Sequence, residues 1–432
     1  MWTIRNRFGG LALAGVLLLV ACDMDLTDPN NPNQGDIVTN VAGLRELAIG
    51  LQATWGDELS DPVYITGLVT NEVGAIVPAF ESYRLVDAGD PVDNNLGPSS
   101  ETWAGMYRVV AVANELLENV PRVPMEPQMA SGMLALARLF KAMSFGGLLQ
   151  TYERIPLDVG LHNVHPEFST RAAGLSAVLD LLESARQQLQ TTPPSAVFNS
   201  QVLAPGFNLP NTIDAMIARY ALIAGDYPRA EAAALRVDLS VLSEFRFTAA
   251  DPNPVWNMFY GSGNAFALRA KQQFRLGAQQ GDQRVGYWVT AAAVAGATGP
   301  LDHVSRYQVR EASFAAYLPD EMRLIRAEVH ARRGELLPAL VLINAVRTPC
   351  SSPLNEPVAC LPPLTLLDVP TQQAMLDRIL LERQYELYLQ GLRWSDLRRF
   401  GRPVKYNFMM APRTECDRNN NAPAEVCASQ TT

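Results

Sequence analysis

The chain is predicted to be mainly α-helical, built of helical hairpins joined by long irregular loops, with few short strands. Three observations predict this. Apolar residues recur at i, i+3, i+4 and i+7 through many segments, sustained strict alternation is scarce, and Pro-, Gly- and Asn-rich stretches punctuate the periodic segments. With 432 residues, 48% of them apolar, the chain can bury a large core. Its charged fraction is 18% and its formal net charge -9, with Lys and Arg scattered rather than clustered. No basic face suited to phosphate backbones results, so nucleic acid is not an expected partner.

At the N-terminus, Arg5 and Arg7 form a basic region, Leu11 to Val20 an apolar one, and small residues lead to Cys22. The apolar run is about half of the ~20 residues that a spanning helix needs. Residues 1–21 therefore read as a cleaved signal, whose loss removes two Arg and no acid. Leu19-Val20-Ala21-Cys22 resembles a lipobox, which would make Cys22 the acylated first residue of the processed chain. Such an anchor holds because each buried methylene contributes roughly 0.8 kcal/mol and several chains act together. Residues 22–40, rich in Asp, Asn and Pro, bury little and read as a flexible tether. Within it Asp23, Asp25 and Asp28 resemble the acidic patch of surface-exported lipoproteins. Residues 41–432 form the body, expected to be water-soluble.

Helical periodicity runs through residues 41–55, 101–120, 129–150, 170–190, 211–224, 228–236, 315–333, 335–346 and 371–390. Ser169 or Thr170 can cap the helix that follows, and Asp226 with Pro228 marks a break where a new helix can start. Segments 217–237 and 325–347 share a punctuation: an Ala-containing helix, Gly followed by an acid, then a second helix near a Pro. This resembles the tetratricopeptide helical hairpin, where small residues let two helices approach closely. The full repeat consensus is not met, and a further hairpin around 103–145 can stack with these two.

Besides Cys22 there are Cys350, Cys360, Cys416 and Cys427. Four cysteines allow three pairings, and the local one, Cys350 with Cys360 and Cys416 with Cys427, is expected because both intervening stretches read as loops. No His neighbours them, which disfavours zinc.

The most specific stretch runs from Ile379 to Pro403, ILLERQYELYLQGLRWSDLRRFGRP. Glu382, Arg383, Glu386, Leu387, Gly391, Arg393, Trp394, Asp396, Leu397, Arg398 and Arg399 resemble the C-terminal signature of the SusD/RagB family. Glu382 and Glu386 lie one helical turn apart, with Arg393 and Arg398 as expected charge-assisted partners. The cluster reads as structural rather than catalytic. Other segments agree in order: Trp103 and Tyr107 in a helix reaching Asn114, Ile155-Pro156-Leu157, the helix after Ser169, and Asp282-Gln283-Arg284. The resemblance implies an α-rich fold on tetratricopeptide-like hairpins, carrying loops that bind glycans or other nutrients. It further implies an outer-membrane, cell-surface lipoprotein that caps a SusC-like TonB-dependent transporter and has no chemistry of its own.

Nucleophile elbows, HExxH, phosphate loops and dinucleotide fingerprints are absent from the sequence, so no enzyme class or cofactor is indicated. His162 and His165 lack an obvious third ligand. Asp417, Asn419 and Asn421 have the spacing of the first calcium-loop ligands, but Ala422 stands where that loop needs Gly, so no metal is expected. For ligand contact, aromatics and amides outside the periodic helices point to two regions: Tyr83, Asp93, Asn94 and Asn95, and Trp256, Tyr260, Tyr287 and Trp288. Two other readings compete. One is a secreted α-helical glycoside hydrolase, which needs two carboxylates across a cleft; the other is a periplasmic tetratricopeptide-type scaffold that binds a protein.

Overall fold

The structure, a computed structural model, describes residues 38–90, 97–160, 163, 165–261 and 267–404. The signal, Cys22, most of the tether, Asp93 to Asn95, Cys416, Cys427 and the calcium-like stretch lie outside them. The first half is helical: α1 (Val41–Glu58), α2 (Ser60–Val69), α3 (Glu81–Ala88), α4 (Pro98–Asn119), α5 (Pro127–Thr151), α6 (Arg171–Thr191), α7 (Ala196–Gln201), α8 (Leu209–Ala224) and α9 (Tyr227–Ala234). Then come α10 (Pro254–Tyr260), α11 (Gln272–Leu276), α12 (Arg284–Trp288), α13 (Pro319–Arg332), α14 (Leu336–Arg347), α15 (Gln372–Glu386) and α16 (Arg393–Arg399). Short strands are interleaved: β1 (Val73–Ala75), β2 (Arg154–Pro156), β3 (Phe168–Thr170), β4 (Glu244–Phe245), β5 (Leu268–Lys271), β6 (Val289–Gly296), β7 (Gly299–Val304) and β8 (Phe314–Ala315).

Local chemistry starts and stops these helices where the sequence signals it. Thr170 accepts from the Ala173 amide and caps α6, and Asp226 accepts from the Arg229 amide and caps α9, each satisfying an amide with no helical partner. Gly225, at φ 79°, ends α8 in the left-handed conformation. The helices pack in sequence as antiparallel neighbours: α4 on α5, α5 on α6, α8 on α9, and α13 on α14.

Helix α5 is apolar and long enough to cross a membrane, yet 83% of that stretch is buried inside the protein. It is the central core helix. Its Gly146 lets α8 approach, since a Cβ there would lie 2.1 Å from the Tyr220 ring. A second, smaller core joins Ala327, Ile343, Met375 and Ile379 between α13, α14 and α15.

Against the helical stack lies a four-stranded antiparallel sheet in the order β1-β5-β7-β6, with Val73 opposite Ala270 and Ala270 opposite Asp302. A register shift between Thr290 and Val294 bends β6. The buried pair Lys271 Nζ to Asp87 Oδ1, 2.6 Å, ties the sheet to α3. Periodicity alone did not mark this sheet, because its strands are short and Ala-rich.

Candidate functional site

The C-terminal signature folds into a sealed ionic core, but with partners other than those expected. Arg284, 1% exposed, places Nη2 2.7 Å from Asp282 Oδ2 and 2.7 Å from Glu382 Oε2, and Nη1 3.5 Å from Glu386 Oε2. Arg347 reaches Glu382 Oε1 at 2.7 Å. Arg393 instead donates to the Leu380 carbonyl and to Gln384, and Arg398 to the Gln150 carbonyl and Glu153. The reason is topological: Gly391, at φ 70°, turns the chain so that α16 runs back past α15. Arg383 then bonds Asp396 at 2.8 Å, and Arg399 spans Asp396 and Glu328 at 2.9 and 2.8 Å. Burial alone would raise the Asp396 carboxyl, but Arg383 and Arg399 outweigh it and hold it below the usual range. Glu386 goes the other way, raised by burial first and then by Asp320. Its centre, Asp282, Arg284, Arg347, Glu382, Arg383, Glu386 and Asp396, is buried, whereas Arg398 and Glu153 lie at its partly exposed edge.

One face of this core borders an open cleft of roughly 450 Å³ between α12, β4, the start of the 305–313 loop and the loop closed by the Cys350–Cys360 disulfide. Helix α12 serves both. Arg284 and Trp288, one turn apart, point into the core, whereas Tyr287 is half-buried and lines the cleft. Its hydroxyl donates to the Asn355 carbonyl at 3.2 Å, which anchors the ring to the disulfide loop.

The Arg306 guanidinium lies 5.8 Å from the Tyr287 ring centre and 5.6 Å from that of Tyr307. Its Nη2 donates to the Ser313 carbonyl at 3.0 Å. Glu244 and Arg246 pair across the rim at 2.8 Å. Glu356 also lines the wall, and burial, with Asp320 adding, pushes its carboxyl up to about 7. A partly exposed ring beside amides, a carboxyl and guanidinium groups is an arrangement that stacks a sugar face and bonds its hydroxyls.

A second cleft of roughly 480 Å³ lies between α1, α2, α4 and α10. Its carboxylates are already engaged. Tyr64 and Tyr83 both donate to Glu101 Oε2 at 2.7 Å, and Arg108 bonds Glu58. The Asp61 carboxyl is raised well above the usual range, by burial first and then by Glu58 and Glu101.

The structure separates the residues expected to contact ligand. Trp288 stands at the inner wall of the first cleft, 1% exposed, with its Nε1 donating to the Tyr385 carbonyl at 2.9 Å. Tyr83, also 1% exposed, stands in the wall of the second cleft with its hydroxyl on Glu101. Tyr260 is half-buried, its hydroxyl held by the Val304 carbonyl at 2.6 Å and its ring covered by Arg269 at 5.3 Å. Trp256, half-buried, lies under Arg310 at 5.0 Å and lines neither cleft. Its neighbour Asn257 lines the second cleft, so α10 and Tyr83 do meet there. Sequence reasoning missed Arg306, Asn355 and Glu356. The one available signal was the local disulfide, which shapes the loop bearing Asn355 and Glu356.

The described residues form a helical stack with two open clefts on its surface. Residues 320–431 match the family model described as the SusD family. Solved structures share the fold at low identity. A SusD-like carbohydrate binding protein from Bacteroides vulgatus ATCC 8482 has a TM-score of 0.66 at 14% identity, covering 83% of this chain and 83% of that one. A SusD superfamily protein from Bacteroides thetaiotaomicron VPI-5482 has a TM-score of 0.64 at 15% identity, covering 91% and 94%. A laminarin binding SusD-like protein has a TM-score of 0.62 at 14% identity, covering 84% and 92%. No curated protein matches the chain by sequence. The C-terminal quarter of the chain thus matches the SusD family model, and the chain as a whole has the mainly helical fold of SusD-like structures.

Proposed function

We propose that this chain is a non-catalytic glycan-binding lipoprotein of the outer-membrane surface, which delivers oligosaccharide to a SusC-like TonB-dependent transporter. The observation that carries the binding half is the Tyr287 cleft: an accessible ring, fixed by its hydroxyl, among polar side chains and beside a rigid ionic core. The carbohydrate-binding and laminarin-binding descriptions of two proteins with the same fold support it. The delivery half rests on the SusD-family match of residues 320–431 and on the lipobox at Cys22. In this reading residues 1–21 are removed, residues 22–40 tether the body, and Cys416 pairs with Cys427.

A native pull-down from detergent-solubilised outer membranes, with tagged wild-type protein beside Cys22→Ala, tests the transporter half. A TonB-dependent barrel in near-equal amount with the wild type is expected; no barrel under several detergents sinks that half. Oligosaccharide binding to the purified protein, weakened about tenfold by Tyr287→Ala, tests the cleft. Turnover of the oligosaccharide instead of binding would favour the hydrolase reading.

A further inference from the structure

Whether this cleft prefers a neutral or a charged ligand follows from how its charged groups are spent. Glu244 and Arg246 neutralise each other at 2.8 Å. Glu356 has one oxygen hydrogen-bonded by Ser352 at 3.2 Å, and its other oxygen is buried with no partner among the described residues. Burial raises its carboxyl toward neutrality near pH 7. Arg306 differs from the arginines of the ionic core, because among the described residues no carboxylate lies within ion-pair distance of it. Its hydrogen bonds go to the Ser313 carbonyl and hydroxyl and to the Tyr287 hydroxyl, which leaves N–H donors over. Its guanidinium lies 5.8 and 5.6 Å from the Tyr287 and Tyr307 ring centres, and these contacts with the Ser313 bonds set its direction before any ligand arrives.

We infer that the cleft is selective for acidic saccharides, with an anionic sugar substituent such as a uronic carboxylate seated on the Arg306 guanidinium while a ring packs on Tyr287. This rests on the proposed glycan-binding function and narrows its substrate class. A planar carboxylate matches the guanidinium fork, and such charge-assisted bonds are about twice as strong as those between neutral groups. The chain as a whole is acidic, at -9, which disfavours anions at long range. At physiological salt that repulsion is screened beyond about 8 Å, so the local contact decides.

The test is calorimetric titration of full-length protein in detergent with oligogalacturonate and with laminari-oligosaccharide of equal length, for wild type, Arg306→Gln, Arg306→Lys and Tyr287→Ala. We expect wild type to favour the acidic oligosaccharide by about tenfold or more. Arg306→Gln should abolish that preference, Arg306→Lys should keep part of it, and Tyr287→Ala should weaken both ligands. Equal affinity for the two, or a preference untouched by Arg306→Gln, overturns the acidic selectivity and leaves glycan binding standing. Binding of neither ligand overturns both.

Discussion

Helix α12 separates two regions that use the same residue types to opposite ends. On its inner face Arg284 is saturated by Asp282, Glu382 and Glu386, and the group excludes water. On its outer side, Arg306 lies over Tyr287 without a carboxylate partner, at the wall of an open cleft. Both guanidiniums lie near a ring, Arg284 5.6 Å from that of Tyr385, so the contrast shows that what makes charge structural or available in this fold is whether carboxylates enclose it. A guanidinium buried among acids is locked, since removing it strands carboxylates in a low dielectric. One laid on a ring keeps donors free while losing little rotamer entropy on binding.

The comparison breaks most readily at its inner side. Arg284→Ala leaves Glu382, Glu386 and Asp282 buried without their shared cation, and should destabilise the protein by about 3 to 5 kcal/mol. Denaturant unfolding checks it; a loss no larger than that of an exposed pair such as Arg122 with Glu118 would refute the sealed-core reading. Next in size is the disulfide. Changing Cys350 and Cys360 together to Ser should cost about 2 to 3 kcal/mol through the freed unfolded chain. Because that loop carries Asn355 and Glu356, oligosaccharide affinity should fall as well, measured on protein that is still folded.

Smaller again is the pH dependence. Glu72 is 5% exposed, and burial raises its carboxyl to about 7, with Arg393 acting against that. A raised carboxyl favours the folded state when protonated. Its contribution is therefore full below about pH 4.5 and is lost as pH rises through 7. Glu72→Gln should flatten part of that decline, leaving the variant more stable than wild type at pH 8 by about 1 kcal/mol or more. Glu356 titrates in the same window and keeps the remainder. Unfolding free energies from pH 4 to 8 decide it, and an unchanged slope would show that Glu72 is not the group responsible.

How much was legible beforehand follows the range of each interaction. Caps act over three residues, so Thr170 and Asp226 were readable, and so were the periodic helices they start. The ion pairs of the signature were not. Glu382 and Glu386 find Arg284, about a hundred residues earlier, rather than Arg393 or Arg398 close by, and only the tertiary fold sets that. The aromatics differ in exposure for a more local reason. Trp288 lies one turn beyond Arg284, so both share the inner face, while its neighbour Tyr287 turns outward. Helical phase, applied to Asp282-Gln283-Arg284, would have chosen Tyr287 over Trp288. Asn355 and Glu356 stand in a loop with no period to read.

The mildest change, Tyr287→Ala, tests the outer side by itself. The ring is half-buried and touches Trp288 edge-on at 4.8 Å, so truncation removes some packing but no ionic partner. Stability should fall by no more than about 1 to 2 kcal/mol, well below the effect of Arg284→Ala. Binding should fall by about tenfold, because a stacked sugar loses both its platform and the surface that orients Arg306. Tyr287→Phe separates these contributions: it keeps the ring and the cation contact but loses the hydroxyl's bonds to the Asn355 carbonyl and to Arg306. If Tyr287→Phe binds like wild type while Tyr287→Ala does not, the ring face is the contact. If the two variants lose affinity equally, the hydroxyl is what counts, through its bonds to Arg306 and to the disulfide loop, and the ring face is not the contact.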